Sequence, residues 1–128
     1  MLVPYWPQPE LPEYRKGSHG AWECRRTPHL KMVPGYFTPV PTQPPGWMLR
    51  RQGVIWMSLT LMEIESQMMH IARATGHTVI AGLGMGFALY NIARKPDVTK
   101  VTVLELDPEV PALLDKVSDW RQWPRSNR

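Results

Sequence analysis

The sequence has few of the residues that covalent cross-linking or membrane insertion requires. Cys24 is its single cysteine, so no disulfide can form within the chain, which fits a reducing compartment. No apolar run approaches the roughly 18 residues of a membrane span, and the amino terminus lacks the pattern of a signal peptide. We therefore expect a cytoplasmic protein that does not bind membranes.

The sequence also has no large excess of positive over negative charge. The formal net charge is +4 at pH 7, and the arginines stand in scattered pairs instead of a continuous basic stretch. We therefore do not expect nucleic-acid binding. His19, Cys24 and His29 are five residues apart, without the closely paired spacing and the fourth ligand of a zinc site, so no metal site is predicted.

Proline, by contrast, is abundant, and ten of the 14 prolines fall within the first 45 residues. Proline interrupts helices and central strands, so residues 1–45 are predicted to form a Pro-rich, mostly irregular arm. Interleaved aromatic residues favour an arm that covers apolar surface of the globular part. A polyproline ligand for a partner is the alternative, but no regular P-x-x-P repeat with flanking basic residues supports it.

Residues 46–75 predict a β-hairpin followed by a helix. Two apolar runs flank Gln52-Gly53, which is typical of a hairpin turn. Thr60 and Glu63 fit a capping box at the start of a helix over residues 61–75, and Glu65 is expected to be solvated. Trp56 either borders a pocket or belongs to the core, and the core is favoured. Neither glutamate is assigned to catalysis.

Residues 78–110, TVIAGLGMGFALYNIARKPDVTKVTVLELDPEV, predict a strand, a glycine turn, a helix, a second strand and the start of another helix. The strands are expected over residues 78–81 and 101–106, with a helix over 87–94, in a right-handed parallel β-α-β unit. Glu105 ends the second strand, at about the distance where an acid accepts hydrogen bonds from ribose hydroxyls. Asp107 and Pro108 predict the next helix start.

The glycine spacing distinguishes two nucleotide classes. Gly82, Gly84 and Gly86 give G-x-G-x-G, whereas the dinucleotide pattern G-x-G-x-x-G would need its third glycine at Phe87. The segments V-I-A-G-L-G-M-G and V-T-V-L-E-L-D-P-E-V resemble the first and second motifs of class I S-adenosylmethionine-dependent methyltransferases. They are most similar to the spermidine-synthase-like branch, and the resemblance extends from Gly53 to the end of the chain.

This resemblance implies a ligand and a set of contacts. The ligand would be S-adenosylmethionine, S-adenosylhomocysteine or the decarboxylated form, with the turn beside its methionine moiety and the acid on its ribose. The residues that the resemblance assigns to this small nucleoside ligand are Gly82, Leu83, Gly84, Met85, Gly86, Glu105 and Leu106.

The predicted fold is α/β: a partial Rossmann-like unit, part of a doubly wound parallel sheet, over residues 46–128.

Two departures from the family's pattern bear on activity. Trp56 stands where aminopropyltransferases usually have glutamine, and the sequence ends at Arg128, before the family's third strand and acidic catalytic loop. We therefore expect a site that is incomplete for catalysis, and no catalytic residue is assigned. We also expect a second copy or a partner chain to cover the exposed sheet edge. The alternatives are a non-catalytic accessory protein and a fragment of an NAD-dependent oxidoreductase, which Phe87 disfavours.

Overall fold

The computed structural model describes residues 9–35 and 40–125. It is an α/β structure, and the described residues form the following elements in chain order. The strands are β1 (Gly17–His19), β2 (Trp22–Arg26), β3 (Leu30–Val33), β4 (Val40–Gln43), β5 (Trp47–Arg51), β6 (Val54–Ser58), β7 (Gly76–Ala81) and β8 (Val98–Leu104). The helices are α1 (Leu61–Arg73), α2 (Phe87–Ala93) and α3 (Glu109–Val117), followed by a 3₁₀ turn, Trp120–Gln122.

The Pro-rich segment is more regular than the sequence predicts. An antiparallel sheet has the order β1-β2-β5-β6, and β3 pairs with β4 in a separate two-stranded ladder. Strands therefore make up about half of the described part of residues 1–45, where a mostly irregular arm is predicted. Its prolines are compatible with these strands because most lie between them, and Pro41 lies in a ladder whose two strands pair only with each other among the described residues. Residues 1–8 and 36–39, which carry much of the predicted arm, lie outside the described residues.

The hairpin predicted after residue 46 is confirmed as β5 and β6. Gln52 and Gly53 form its turn with positive φ angles of 50° and 79°, as expected for a two-residue hairpin loop. The pairing is irregular beyond the turn: Ile55 pairs with Arg50 and Met57 with Leu49, so Trp56 has no partner in β5. This β-bulge changes the direction of side chains at the end of β6.

The parallel β-α-β unit is confirmed, and β7 pairs with β8 through Ile80 and Val103. A complete doubly wound sheet is not formed, because β7 and β8 pair only with each other in the part of the chain described. Ile80, Val101 and Val103 pack against the core, whereas Val79 is 56% exposed and Leu104 60% exposed on the other face. A doubly wound sheet is covered on both faces, and within the described residues this second face is uncovered.

The helix starts differ from the predicted caps. The Thr60 side chain makes no cap hydrogen bond to α1, and Glu63 instead accepts hydrogen bonds from the Ser58 amide, at 3.0 Å, and hydroxyl, at 2.9 Å. Helix α3 begins at Glu109, one residue later than predicted, and Asp107 Oδ1 accepts a 2.9 Å hydrogen bond from the Glu109 amide. Glu65 is buried on α1, which contradicts its predicted solvation.

One hydrophobic core continues across residue 45. Tyr14, Trp22 and Cys24 of the Pro-rich segment are buried in the same cluster as Phe87 and Leu113 of the β-α-β region. Burial raises the pKa of the Cys24 thiol to about 11, so the thiol stays protonated at neutral pH. No helix in the described residues is both long and apolar enough to cross a membrane.

Candidate functional site

A cavity of about 630 Å³ opens at the carboxyl ends of β7 and β8. Its volume falls in the range of roughly 300–1,000 Å³ that small-molecule sites occupy. The glycine turn and residues 105–107 form one wall, and residues of β2, β5 and β6 form the opposite wall. Ligands of open α/β sheets bind at this end of the strands, so the topology and the cavity indicate the same place.

The structure brings five of the seven predicted site residues together. Gly82, Leu83 and Gly84 line the cavity from the turn, and Glu105 and Leu106 line it from the end of β8. Met85 and Gly86 do not line it.

Met85 and Gly86 instead fix the turn from its buried side. Met85 is buried, and its carbonyl oxygen accepts a hydrogen bond from the Tyr14 hydroxyl. Desolvation of Tyr14 raises the pKa of its hydroxyl, which therefore remains a donor throughout the physiological range. Gly86 is also buried and directly precedes α2. These two residues position the turn and have no direct access to a ligand.

The three glycines of the turn have three different surroundings. All have positive φ, at 88°, 54° and 75° for Gly82, Gly84 and Gly86. A Cβ at Gly82 would meet no atom within 4 Å, a Cβ at Gly84 would lie 2.7 Å from the sulfur of Met57, and a Cβ at Gly86 would lie 2.8 Å from the Trp123 ring. Gly82 therefore leaves open space beside the cavity, whereas Gly84 and Gly86 accommodate neighbouring side chains.

Glu105 joins the ends of the two parallel strands. Its Oε1 accepts a 2.8 Å hydrogen bond from the Leu83 amide, and its Oε2 accepts a 3.0 Å hydrogen bond from the Asp107 amide. A carboxylate has about four lone-pair directions, so two protein donors leave acceptor capacity on both oxygens. Glu105 can therefore hold the turn and accept hydrogen bonds from a ligand at the same time.

Asp107 connects the site to the N-terminal sheet. Its Oδ2 accepts a 2.9 Å hydrogen bond from the Trp22 indole N–H. That hydrogen bond, the Glu109 amide and the positive charge of Arg51 hold the pKa of Asp107 below its usual range. Asp107 thus accepts hydrogen bonds from two protein donors, as Glu105 does, and it ties the site to β2 and to the start of α3.

The cavity lining also contains functional candidates that the sequence does not predict. Trp22, Arg51, Met57, Gln67 and Asp107 line the cavity without having been assigned to it. Trp56 also lines it and is 65% exposed, so the interpretation of Trp56 as a core residue is wrong. The rings of Trp22 and Trp56 meet edge to face, with centroids 5.6 Å apart. No local motif marks these residues, because they come from separate strands and from α1.

The charged side chains of the lining are Glu105, Asp107 and Arg51, which give two negative charges and one positive charge, or −1 formally. No group of three or more histidine, cysteine or acidic side chains that could hold a metal occurs in residues 9–35 and 40–125. The site thus offers hydrogen-bond acceptors, apolar and aromatic walls and a slight negative charge.

Comparisons with known proteins found no match to a family model, a curated protein or a solved structure.

Proposed function

We propose that the chain binds S-adenosylmethionine, or the related S-adenosylhomocysteine or decarboxylated nucleoside, in this cavity. The proposal rests on one observation. Glu105 and the open space beside Gly82 both border the cavity at the carboxyl ends of two parallel strands. An acid at this position suits a ribose diol, and a residue without a side chain allows the rest of the ligand to approach the backbone.

The proposal assigns each part of the ligand to one part of the cavity. The ribose hydroxyls would donate to Glu105, and the amino-acid arm would pass beside Gly82. The base would lie toward Leu106, which is 99% exposed directly after Glu105. Phe87 is buried where a dinucleotide-binding turn needs its third glycine, so a pyrophosphate is a poorer candidate for the same turn.

Methyl or aminopropyl transfer, which the family resemblance implies, is the finer part of the proposal. In such a reaction the acceptor nucleophile bonds to the carbon attached to sulfur, the carbon–sulfur bond breaks, and a neutral thioether leaves. Among the described residues the lining contains no histidine, lysine or cysteine, and its two carboxylates, Glu105 and Asp107, already accept hydrogen bonds from the protein. The described residues therefore support ligand binding and orientation, and we propose binding as the primary function.

The test is a comparison of thermal stabilisation by S-adenosylmethionine, S-adenosylhomocysteine and NAD. A ligand that binds only the folded state at a hundred times its Kd should raise the Tm of a chain of this size by roughly 5–15 °C. We expect such an increase with at least one of the two S-adenosyl ligands and a much smaller one with NAD at equal concentration. Equal shifts with NAD would contradict the proposal.

The exposed face of the β7–β8 pair supports a second prediction, on self-association. Val79 and Leu104 lie on the same exposed face, and both strands keep an unpaired edge within the described residues. We expect light scattering of the purified chain to show an average mass that rises with concentration. Val79→Lys combined with Leu104→Lys should reduce that rise, whereas Met69→Lys on the exposed side of α1 should not. A monomer at all concentrations would contradict the prediction of self-association.

A further inference from the structure

The bulge in β6 directs an aromatic ring into the cavity. Successive side chains of a regular strand point to opposite faces, yet Trp56 and Met57 both line the cavity. Trp56 is the residue without a partner in β5, so the irregular pairing accounts for this shared direction. Bulges often re-aim side chains next to binding sites.

The Trp56 ring packs against a ring that is itself held in place. Trp22 is buried, meets Trp56 at an interplanar angle of 88°, and donates its indole N–H to Asp107. Trp22 therefore cannot rotate away without losing that hydrogen bond. Trp56 remains 65% exposed against this fixed ring. A large exposed aromatic surface on a fixed support is costly in water and well suited to a ligand.

From these contacts we infer that Trp56 binds the cationic sulfonium of the ligand through its ring face and so distinguishes sulfonium from thioether ligands. This inference rests on the proposed function. The ring face carries negative electrostatic potential, and tryptophan binds cations more strongly than other aromatic residues. The formal charge of −1 on the lining also favours a positively charged ligand over a neutral one. The aromatic and carboxylate groups thus select for the same ligand charge.

The experiment measures the Kd of S-adenosylmethionine, which carries the sulfonium, and of S-adenosylhomocysteine, the neutral thioether, by titration calorimetry. Trp56→Leu keeps an apolar side chain but removes the ring, and should weaken S-adenosylmethionine binding roughly threefold to thirtyfold. S-adenosylhomocysteine binding should change by less than about twofold because its sulfur carries no positive charge for the ring face to bind. Trp56→Phe should give an intermediate ratio of the two Kd values.

Ile55→Ala is the matched control, since Ile55 precedes Trp56, is 60% exposed and does not line the cavity. It should leave both Kd values unchanged, and unliganded Tm values should confirm that all variants fold. Equal weakening of both ligands by Trp56→Leu, or no weakening of either, would overturn the inference while leaving the proposed function intact. If the unmodified chain binds neither ligand, the proposed function fails and this inference fails with it.

Discussion

Replacing Gly86 with alanine is expected to lower the free energy of unfolding by roughly 2–5 kcal/mol. Gly86 has a φ of 75°, which costs energy for any residue with a Cβ. The added methyl group would also lie 2.8 Å from the Trp123 ring and 3.4 Å from Leu114. Trp123 cannot easily move, because it packs edge to face against Tyr90 at a centroid distance of 5.1 Å. Strain and overpacking therefore act together at this position.

Gly82→Ala is the matched control for Gly86→Ala. Gly82 has a similar φ of 88°, but a Cβ there meets no atom within 4 Å, so only the backbone cost of about 1–2 kcal/mol remains. The methyl group would enter the space beside the cavity and weaken binding of S-adenosyl ligands. Urea denaturation and calorimetry together should separate the two variants. Equal losses of stability would show that the Trp123 contact contributes little.

Local patterns were sufficient to predict the β-α-β unit and the β5–β6 hairpin. The glycine turn between an apolar strand and an amphipathic helix requires no distant partner, and Gln52-Gly53 specifies its own turn. The four strands before residue 45 are not predicted, because the proline content obscures the local β1–β2 and β3–β4 pairs and because β2 also pairs with a distant strand. Cys24 in β2, for example, pairs with Leu49 in β5. Proline content describes where strands break and says little about short strands between the breaks.

The candidate site divides in the same way. Glu105 and the glycine turn were found because their spacing along the chain reflects one supersecondary unit. The hydrogen bond from Trp22 to Asp107 joins residues 85 positions apart, and no sequence pattern relates them. The position of Trp56 in the cavity wall cannot be predicted without the bulge, because a regular strand would place Trp56 and Met57 on opposite faces. The wall formed by β2, β5 and β6 is therefore visible only in the folded structure.

Replacing Glu105 with glutamine is expected to reduce both ligand affinity and stability. Affinity for S-adenosylmethionine should fall about tenfold to a hundredfold, since a charged acceptor for the ribose hydroxyls is worth roughly 1.5–3 kcal/mol. Stability should also fall, by roughly 1–3 kcal/mol, because the glutamine NH₂ group must face either the Leu83 or the Asp107 amide. Two donors facing each other leave a backbone group without its partner.

Asp107→Asn tests whether Glu105 or Asp107 is the acceptor for the ribose hydroxyls. Asparagine can still accept the hydrogen bond from the Glu109 amide, but its NH₂ group would then face the Trp22 indole N–H. We expect this change to loosen the contact between the N-terminal sheet and the site, and to weaken ligand binding less than Glu105→Gln does. Calorimetry and urea denaturation of both variants measure the two effects separately. If Asp107→Asn causes the larger loss of affinity, the ribose acceptor is Asp107, and Glu105 serves only to tie the glycine turn to the end of β8.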